Sequence, residues 1–147
     1  MAETLGMLCD KLTIVKLKQY HTEEEQKLES LNKQAVQLQE EIDEYVSNAA
    51  SGNIPQEKLT FASNKVFKKE GNEVAAVNGN MGALFSQLAA VNCDLWHEVE
   101  KGYDIENAAV AEKDKIVKNL AVLNLQRNNC IDAIDRTFLD LIIKKNN

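Results

Sequence analysis

The sequence predicts an all-α protein, an antiparallel helical bundle of four helices in which the first and last are long and coiled-coil-like. Three observations support this fold class. Apolar residues recur every three or four positions over long stretches, the chain contains one proline, and no stretch alternates apolar and polar residues as a strand would. At 147 residues and 44% hydrophobic content, the chain suits one domain with a real core, and we take residues 1–147 as a single helical-bundle domain.

The first predicted helix is very long, because one seam runs unbroken from Met7 to Tyr45. Its positions alternate in spacing between three and four residues: Met7, Asp10, Ile14, Leu17, His21, Glu24, Leu28, Leu31, Ala35, Leu38, Ile42 and Tyr45. Such a helix would extend roughly 58 Å at 1.5 Å per residue. Gly52 and Asn53 end the pattern, and Pro55 suits the first position of the next helix.

Three more helices are predicted in the remaining chain. A short one covers about 56–69, and a third covers about 81–101 after the glycine-rich segment 69–82. The fourth runs from about 105 to 144, with Asp104 as its N-cap. Its seam again has the spacing of a heptad repeat: Ile116, Leu120, Leu123, Arg127, Cys130, Ile134, Phe138 and Leu141. Turns between these helices favour antiparallel neighbours.

Charge and composition exclude several classes of function. A formal net charge of −6 disfavours general binding to nucleic acid or to an anionic membrane surface. No apolar run approaches the ~20 residues that a membrane span needs, and the charged N-terminus does not resemble a signal peptide. The three cysteines form no CxxC pair, so we expect reduced thiols in a cytoplasmic protein.

Polar residues on the seams form the first candidate ligand-binding cluster. If the first and last helices are matched end to end, Arg127 faces Glu24, with His21 one turn away and Asn124 and Asn128 beside it. A guanidinium can bind a carboxylate through two parallel hydrogen bonds.

Three interpretations of Arg127 stay open. The polar network fixes the register of the bundle, or Arg127 binds an anion such as a phosphate or carboxylate, or Arg127 extends to water because the register differs. Matching the third and fourth helices places Arg127 level with 78–80, before the N-terminus of the third helix. A helix N-terminus favours anions, so a pocket is expected there.

Two aromatic-His-x-x-Glu patterns raise the question of a metal site. The first comprises Tyr20, His21 and Glu24, and the second comprises Trp96, His97 and Glu100. Di-iron bundles use Glu and His from facing helices, but the predicted registers separate the two histidines by about 30 Å. We therefore expect no metal and no cofactor, and keep Trp96, His97 and Glu100 as a second candidate motif. No catalytic residue is indicated, since Cys9 and Cys130 have no base nearby in the pattern.

The segments LWHEVEK at 95–101 and IVKNLAVLNLQRNNCIDAID at 116–135 carry a resemblance to a known family. The C-terminal half resembles the bacterial family catalogued as domain of unknown function 4254, and the opening 6–18 is similar to related helical families. The resemblance implies an all-helical bacterial protein without an established activity, associated with surface-polysaccharide genes. It draws attention to Trp96, His97, Asn124, Arg127 and Asn128.

Two functions of different classes follow from the sequence. The first is a non-enzymatic scaffold, adaptor or interaction module, expected as a homodimer because the long first helix would extend past the short helices that cover it. The alternative is a protein that binds a small anion or sugar phosphate in the bundle seam, or an accessory enzyme of surface-polysaccharide metabolism. A protein partner fits either function, whereas nucleic acid and membrane do not.

Overall fold

The computed structural model describes residues 2–61 and 77–147, and within these ranges the chain forms four α-helices and no strand. They are α1 (Leu5–His21), α2 (Glu25–Ala50), α3 (Met81–Gly102) and α4 (Val110–Asn146), with single 3₁₀ turns at Gln56–Lys58 and Ile105–Asn107. The prediction of an all-α helical bundle is confirmed. Among the helices described, none combines the length and the apolar character needed to cross a membrane.

The predicted long first helix is wrong, because it is two helices that fold back on each other. Thr22 and Glu24 have extended backbone, with ψ of 127° and 121°, and interrupt the seam between α1 and α2. The turn brings the two halves of the seam together, so that Val15 packs with Leu31 and Ala35. The heptad pattern is the same whether a helix continues or folds back, and no glycine or proline marks this break.

The later helices agree with the sequence to different degrees. α3 matches the predicted 81–101 to within one residue at its C-terminal end. α4 begins later than predicted, because Asp104 precedes a 3₁₀ turn and Ala109 is the N-cap of α4. Of the predicted helix at 56–69, the described part holds only the 3₁₀ turn, and 62–76 lies outside the described residues.

The main core lies where α1, α3 and α4 meet. The side chains sealed there come from all three helices and are at most 1% exposed: Leu8, Leu84, Leu88, Cys130 and Ile134. α4 is antiparallel to α1, since Gly6 contacts Asp135 near the start of α1 and Asp10 contacts Arg127 further along. α2 covers the other side of α1 and reaches the core through Tyr45 and Ala49.

α4 caps the first turn of α1 at a point where the two helices come unusually close. The Gly6 N–H donates to Oδ1 of Asp135 at 2.7 Å. This carboxylate therefore caps the N-terminus of α1 together with the N-cap residue Thr4, whose side chain accepts from the Met7 N–H. A Cβ at Gly6 would lie 2.6 Å from the carbonyl oxygen of Ile131 and 2.9 Å from Oδ1 of Asp135. The contact between the helices therefore requires glycine here.

Burial changes the acidity of this capping carboxyl. Burial raises the pKa of Asp135 from 3.8 to about 6, although hydrogen bonds from Thr4 and from the Gly6 N–H oppose the increase. Burial also raises the pKa of Tyr45 to about 12, and the charge of Asp135 adds to that shift. The folded protein thus binds a proton at Asp135 more tightly than the unfolded chain does.

Gly6→Ala should destabilise the fold by about 1–3 kcal/mol, because the added methyl group forces α1 and α4 apart. The matched control is Gly82→Ala in α3, where a Cβ meets nothing within 4 Å. That control should be neutral or stabilising by up to about 1 kcal/mol through helix propensity. Thermal or urea unfolding of the two variants measures both effects, and equal effects of the two substitutions would contradict the close packing at Gly6.

Asp135→Asn should change how stability depends on pH. Between about pH 4 and pH 6 the unfolded wild-type chain loses a proton that the folded protein keeps, so wild-type stability declines through this window. The asparagine variant has no carboxyl group at this position, so this contribution to the pH dependence of its stability is absent. As the pH rises, the free energy of unfolding of the wild type should therefore fall by at most about 3 kcal/mol relative to that of the variant. Urea unfolding at a series of pH values measures this difference. A difference independent of pH would contradict the burial of the carboxyl.

Candidate functional site

A buried ion pair between Asp10 of α1 and Arg127 of α4 is the centre of the candidate site. Nε of Arg127 lies 3.2 Å from Oδ1 of Asp10, and Asn92 of α3 donates its Nδ2–H to the same oxygen at 2.9 Å. Asp10 and Asn92 are buried, whereas a third of the Arg127 side chain is exposed. Asn92 of α3 and Arg127 of α4 thus both approach the carboxylate of Asp10 in α1.

The amide of Asn92 has its orientation fixed by this network. A carboxylate only accepts hydrogen bonds, so the NH₂ group of Asn92 must face Asp10 and its Oδ1 must face away. Within the described ranges this Oδ1 is buried and has no hydrogen-bond partner. Four other buried side-chain atoms in the described ranges share this property, among them the Tyr45 hydroxyl in the core, so it does not by itself mark a site.

The predicted pairing of Arg127 with Glu24 is wrong. Glu24 is exposed at the turn between α1 and α2, where its carboxylate contacts Nζ of Lys27 at 3.0 Å. The end-to-end match assumed one long helix, and because α1 ends at His21, Asp10 rather than Glu24 faces Arg127.

A groove of about 360 Å³ opens beside the ion pair, between α1, α3 and α4. Its lining is mainly apolar, with one charged residue: Ile14, Asn92, Leu95, Trp96, Val99, Leu120, Asn124 and Arg127. Arg127 lines this groove while its Nε lies at ion-pair distance from Asp10 without forming a hydrogen bond to it. An apolar groove with one placed cation is a common form of small-molecule site.

The groove does not lie where the sequence placed it. Arg127 is level with Asn92 and Trp96 of α3, not with 78–80 at the start of that helix. α4 begins five residues later than predicted, which accounts for part of this difference in register. Of the two predicted asparagines, Asn124 lines the groove, whereas Asn128 donates to the Asn124 carbonyl at 2.8 Å within α4.

An aromatic cluster borders the groove at the end of α1. The His21 ring stacks on Trp96, with centroids 4.7 Å apart and planes within 7°, and the His97 ring is 6.4 Å from that of His21. The indole N–H of Trp96 donates to Oε1 of Glu100 at 2.6 Å. The predicted separation of the two histidines is therefore wrong, because α1 ends beside α3, and His21 from the first cluster meets the second motif there.

Proximity of the histidines does not by itself make a metal site. Among the residues that the structure describes, no group of three or more His, Cys, Asp or Glu side chains is arranged to hold a metal ion. The flat stacking of His21 on Trp96 instead gives this ring a packing role.

Sequence reasoning left three polar residues of this region out of its candidate sites: Asp10, Asn92 and Cys93. Asp10 lies on the predicted seam, but the assumed register placed Glu24 rather than Asp10 opposite Arg127. Asn92 could not be found from the sequence, because a buried asparagine in a helix has the same sequence pattern as a polar residue on the surface. Cys93 could have been found, since it precedes His97 by four residues and such positions are neighbours on a helix. Its Sγ lies 3.8 Å from Nε2 of His97.

Comparison with known proteins does not assign the chain to a family. No family model, no curated protein and no solved structure matches it. The resemblance of the C-terminal half to domain of unknown function 4254 stays a prediction.

Proposed function

We propose that the protein binds a small anionic molecule that carries a ring, such as a sugar phosphate, in the groove beside Arg127. The observation that supports this proposal is the position of one partly exposed guanidinium in an otherwise uncharged lining that includes a tryptophan. The guanidinium would bind the phosphate or carboxylate, and the apolar wall would contact the ring.

Asp10 prepares Arg127 for this role. The charge attraction between the carboxylate and Nε, 3.2 Å apart, keeps the guanidinium at the edge of the groove. Asn92 holds the carboxylate in place through its amide. A preoriented arginine loses less conformational entropy on binding, which favours affinity.

Trp96 supplies the apolar contact. One face of its ring is covered by His21, and its N–H is already bonded to Glu100, so its remaining ring surface is apolar. Such a surface suits the apolar face of a sugar ring. The resemblance of the C-terminal half to a family associated with surface-polysaccharide genes agrees with this class of ligand.

Titration with glucose 1-phosphate should produce a saturable change in intrinsic fluorescence. Trp96 is the single tryptophan of the chain and lines the groove, so it reports binding there. Glucose lacks the phosphate group and inorganic phosphate lacks the sugar ring, so each should bind more weakly than glucose 1-phosphate. Calorimetry with the same three compounds measures the affinities independently.

Val99→Glu is the best variant for this titration, because it places a negative charge in the wall of the groove at an exposed position. It should weaken binding at least about tenfold, or roughly 1.4 kcal/mol. Replacing Arg127 itself would leave Asp10 buried without its cation and would destabilise the fold. Val36→Glu is the matched control, since Val36 is exposed on α2 outside the groove. Absence of saturable binding, or equal binding by both variants, would contradict the proposal.

The second candidate function is an interaction module that forms a homodimer. The sequence predicted a homodimer because a long first helix would leave part of its apolar seam uncovered. That reason fails, because α2 packs on the seam of α1 within one chain. A different observation favours it: large apolar side chains are 59% to 84% exposed where α1 and α3 end and α4 begins. We call these exposed side chains, Tyr20, Tyr103, Val110 and Val117, the end surface; Val110 and Val117, seven residues apart, lie on one face of α4. A second copy that packs on the end surface would bury these side chains.

Sedimentation at increasing protein concentration tests the homodimer. The wild type should reach the mass of a dimer, whereas Val110→Lys with Val117→Lys should remain a monomer, because two buried ammonium groups oppose association. Val36→Lys serves as the control at a comparably exposed valine and should dimerise normally. A wild type that is monomeric at all concentrations would exclude this function.

A further inference from the structure

Cys93, His97 and Glu100 lie one after another along one face of α3. Sγ of Cys93 is 3.8 Å from Nε2 of His97, and Nδ1 of His97 is 3.9 Å from Oε2 of Glu100. The other oxygen of Glu100 accepts the indole N–H of Trp96, which holds the carboxylate in place. A thiol, an imidazole and a carboxylate are thus arranged in order on one rigid helix.

This order of groups has a defined chemical use. When the N–H of the imidazole at Nδ1 faces the carboxylate, Nε2 is free to accept a proton from the thiol. The carboxylate then stabilises the imidazolium that forms. A nucleophile, a base and a group that orients the base are the elements of nucleophilic catalysis, and their distances are often longer before a reagent binds.

The other two cysteines are in unreactive surroundings. Burial raises the pKa of Cys9 to about 12, with Asp135 and Asp10 adding to the shift, and burial raises the pKa of the fully buried Cys130. Both thiols therefore stay protonated and are poor nucleophiles. Cys93 is only partly buried and the His97 side chain is 58% exposed, so a reagent can approach this pair from solvent.

We propose that Cys93 is a nucleophilic thiol activated by His97 and that it reacts with low-molecular-weight disulfides. In this step Nε2 of His97 takes the thiol proton, Sγ attacks one sulfur of the disulfide, and the S–S bond breaks. The leaving thiolate takes the proton back from His97. The products are a mixed disulfide at Cys93 and one free thiol, so the reagent is reduced as Cys93 is oxidised. This proposal does not rest on ligand binding in the groove, although Trp96 takes part in both sites.

The experiment exposes the fully reduced protein to excess oxidised glutathione at pH 7 and quenches samples with acid. Mass spectrometry of peptides then gives a separate rate for each cysteine. Cys93 should react about tenfold faster than the cysteine of an unstructured peptide, of which only a few per cent is thiolate at this pH. Cys9 and Cys130 should react at least about tenfold more slowly than Cys93.

His97→Gln should lower the rate of Cys93 about tenfold at pH 7, and the difference should vanish near pH 9, where a thiol ionises without help from a base. This pH profile separates loss of the base from a structural effect. Glu29→Gln, at an exposed position of α2, is the control and should leave the rate within about twofold of the wild type. The proposal is overturned if Cys93 reacts no faster than the peptide, if His97→Gln has no effect at pH 7, or if Cys9 or Cys130 reacts first.

Discussion

The contact of α1 with α4 at Gly6 determines where every other group of the site lies. The absence of a side chain at Gly6 lets Asp135 reach the first turn of α1, which fixes both the distance and the register of the two helices. One turn further along α1, Asp10 then meets Arg127. At the end of the same helix, His21 meets Trp96. A different register at Gly6 would separate all of these pairs.

Two aspartates are buried where α1 and α4 meet, and they differ in what offsets the loss of hydration of the carboxylate. Asp10 has a cation and an amide beside it, so attraction and hydrogen bonding offset the loss of hydration. Asp135 accepts hydrogen bonds from the Gly6 N–H at the start of α1 and from Thr4, but burial still raises its pKa. Asp135 therefore stabilises the contact between α1 and α4, whereas Asp10 pairs with an arginine that lines a groove.

The sequence predicted the elements of the site better than their arrangement. It identified Arg127, Trp96, His97 and Asn124 because polar groups on an apolar seam and aromatic residues beside histidines stand out against a heptad pattern. It could not predict the partner of Arg127, because the pattern does not record that α1 ends before Glu24. A fold-back without glycine or proline is decided by tertiary packing, here of Val15 on Leu31, which a local pattern does not contain.

Trp96 belongs to both candidate sites on α3. Its ring lines the groove beside Arg127, and its N–H fixes the carboxylate that faces His97. A substitution of Trp96 would remove the apolar wall and release Glu100 together, so its effects on ligand binding and on thiol reactivity would not be separable. Val99 lines the groove and is not part of the thiol site, whereas His97 is part of the thiol site and does not line the groove, so these two positions distinguish the two chemistries in one chain.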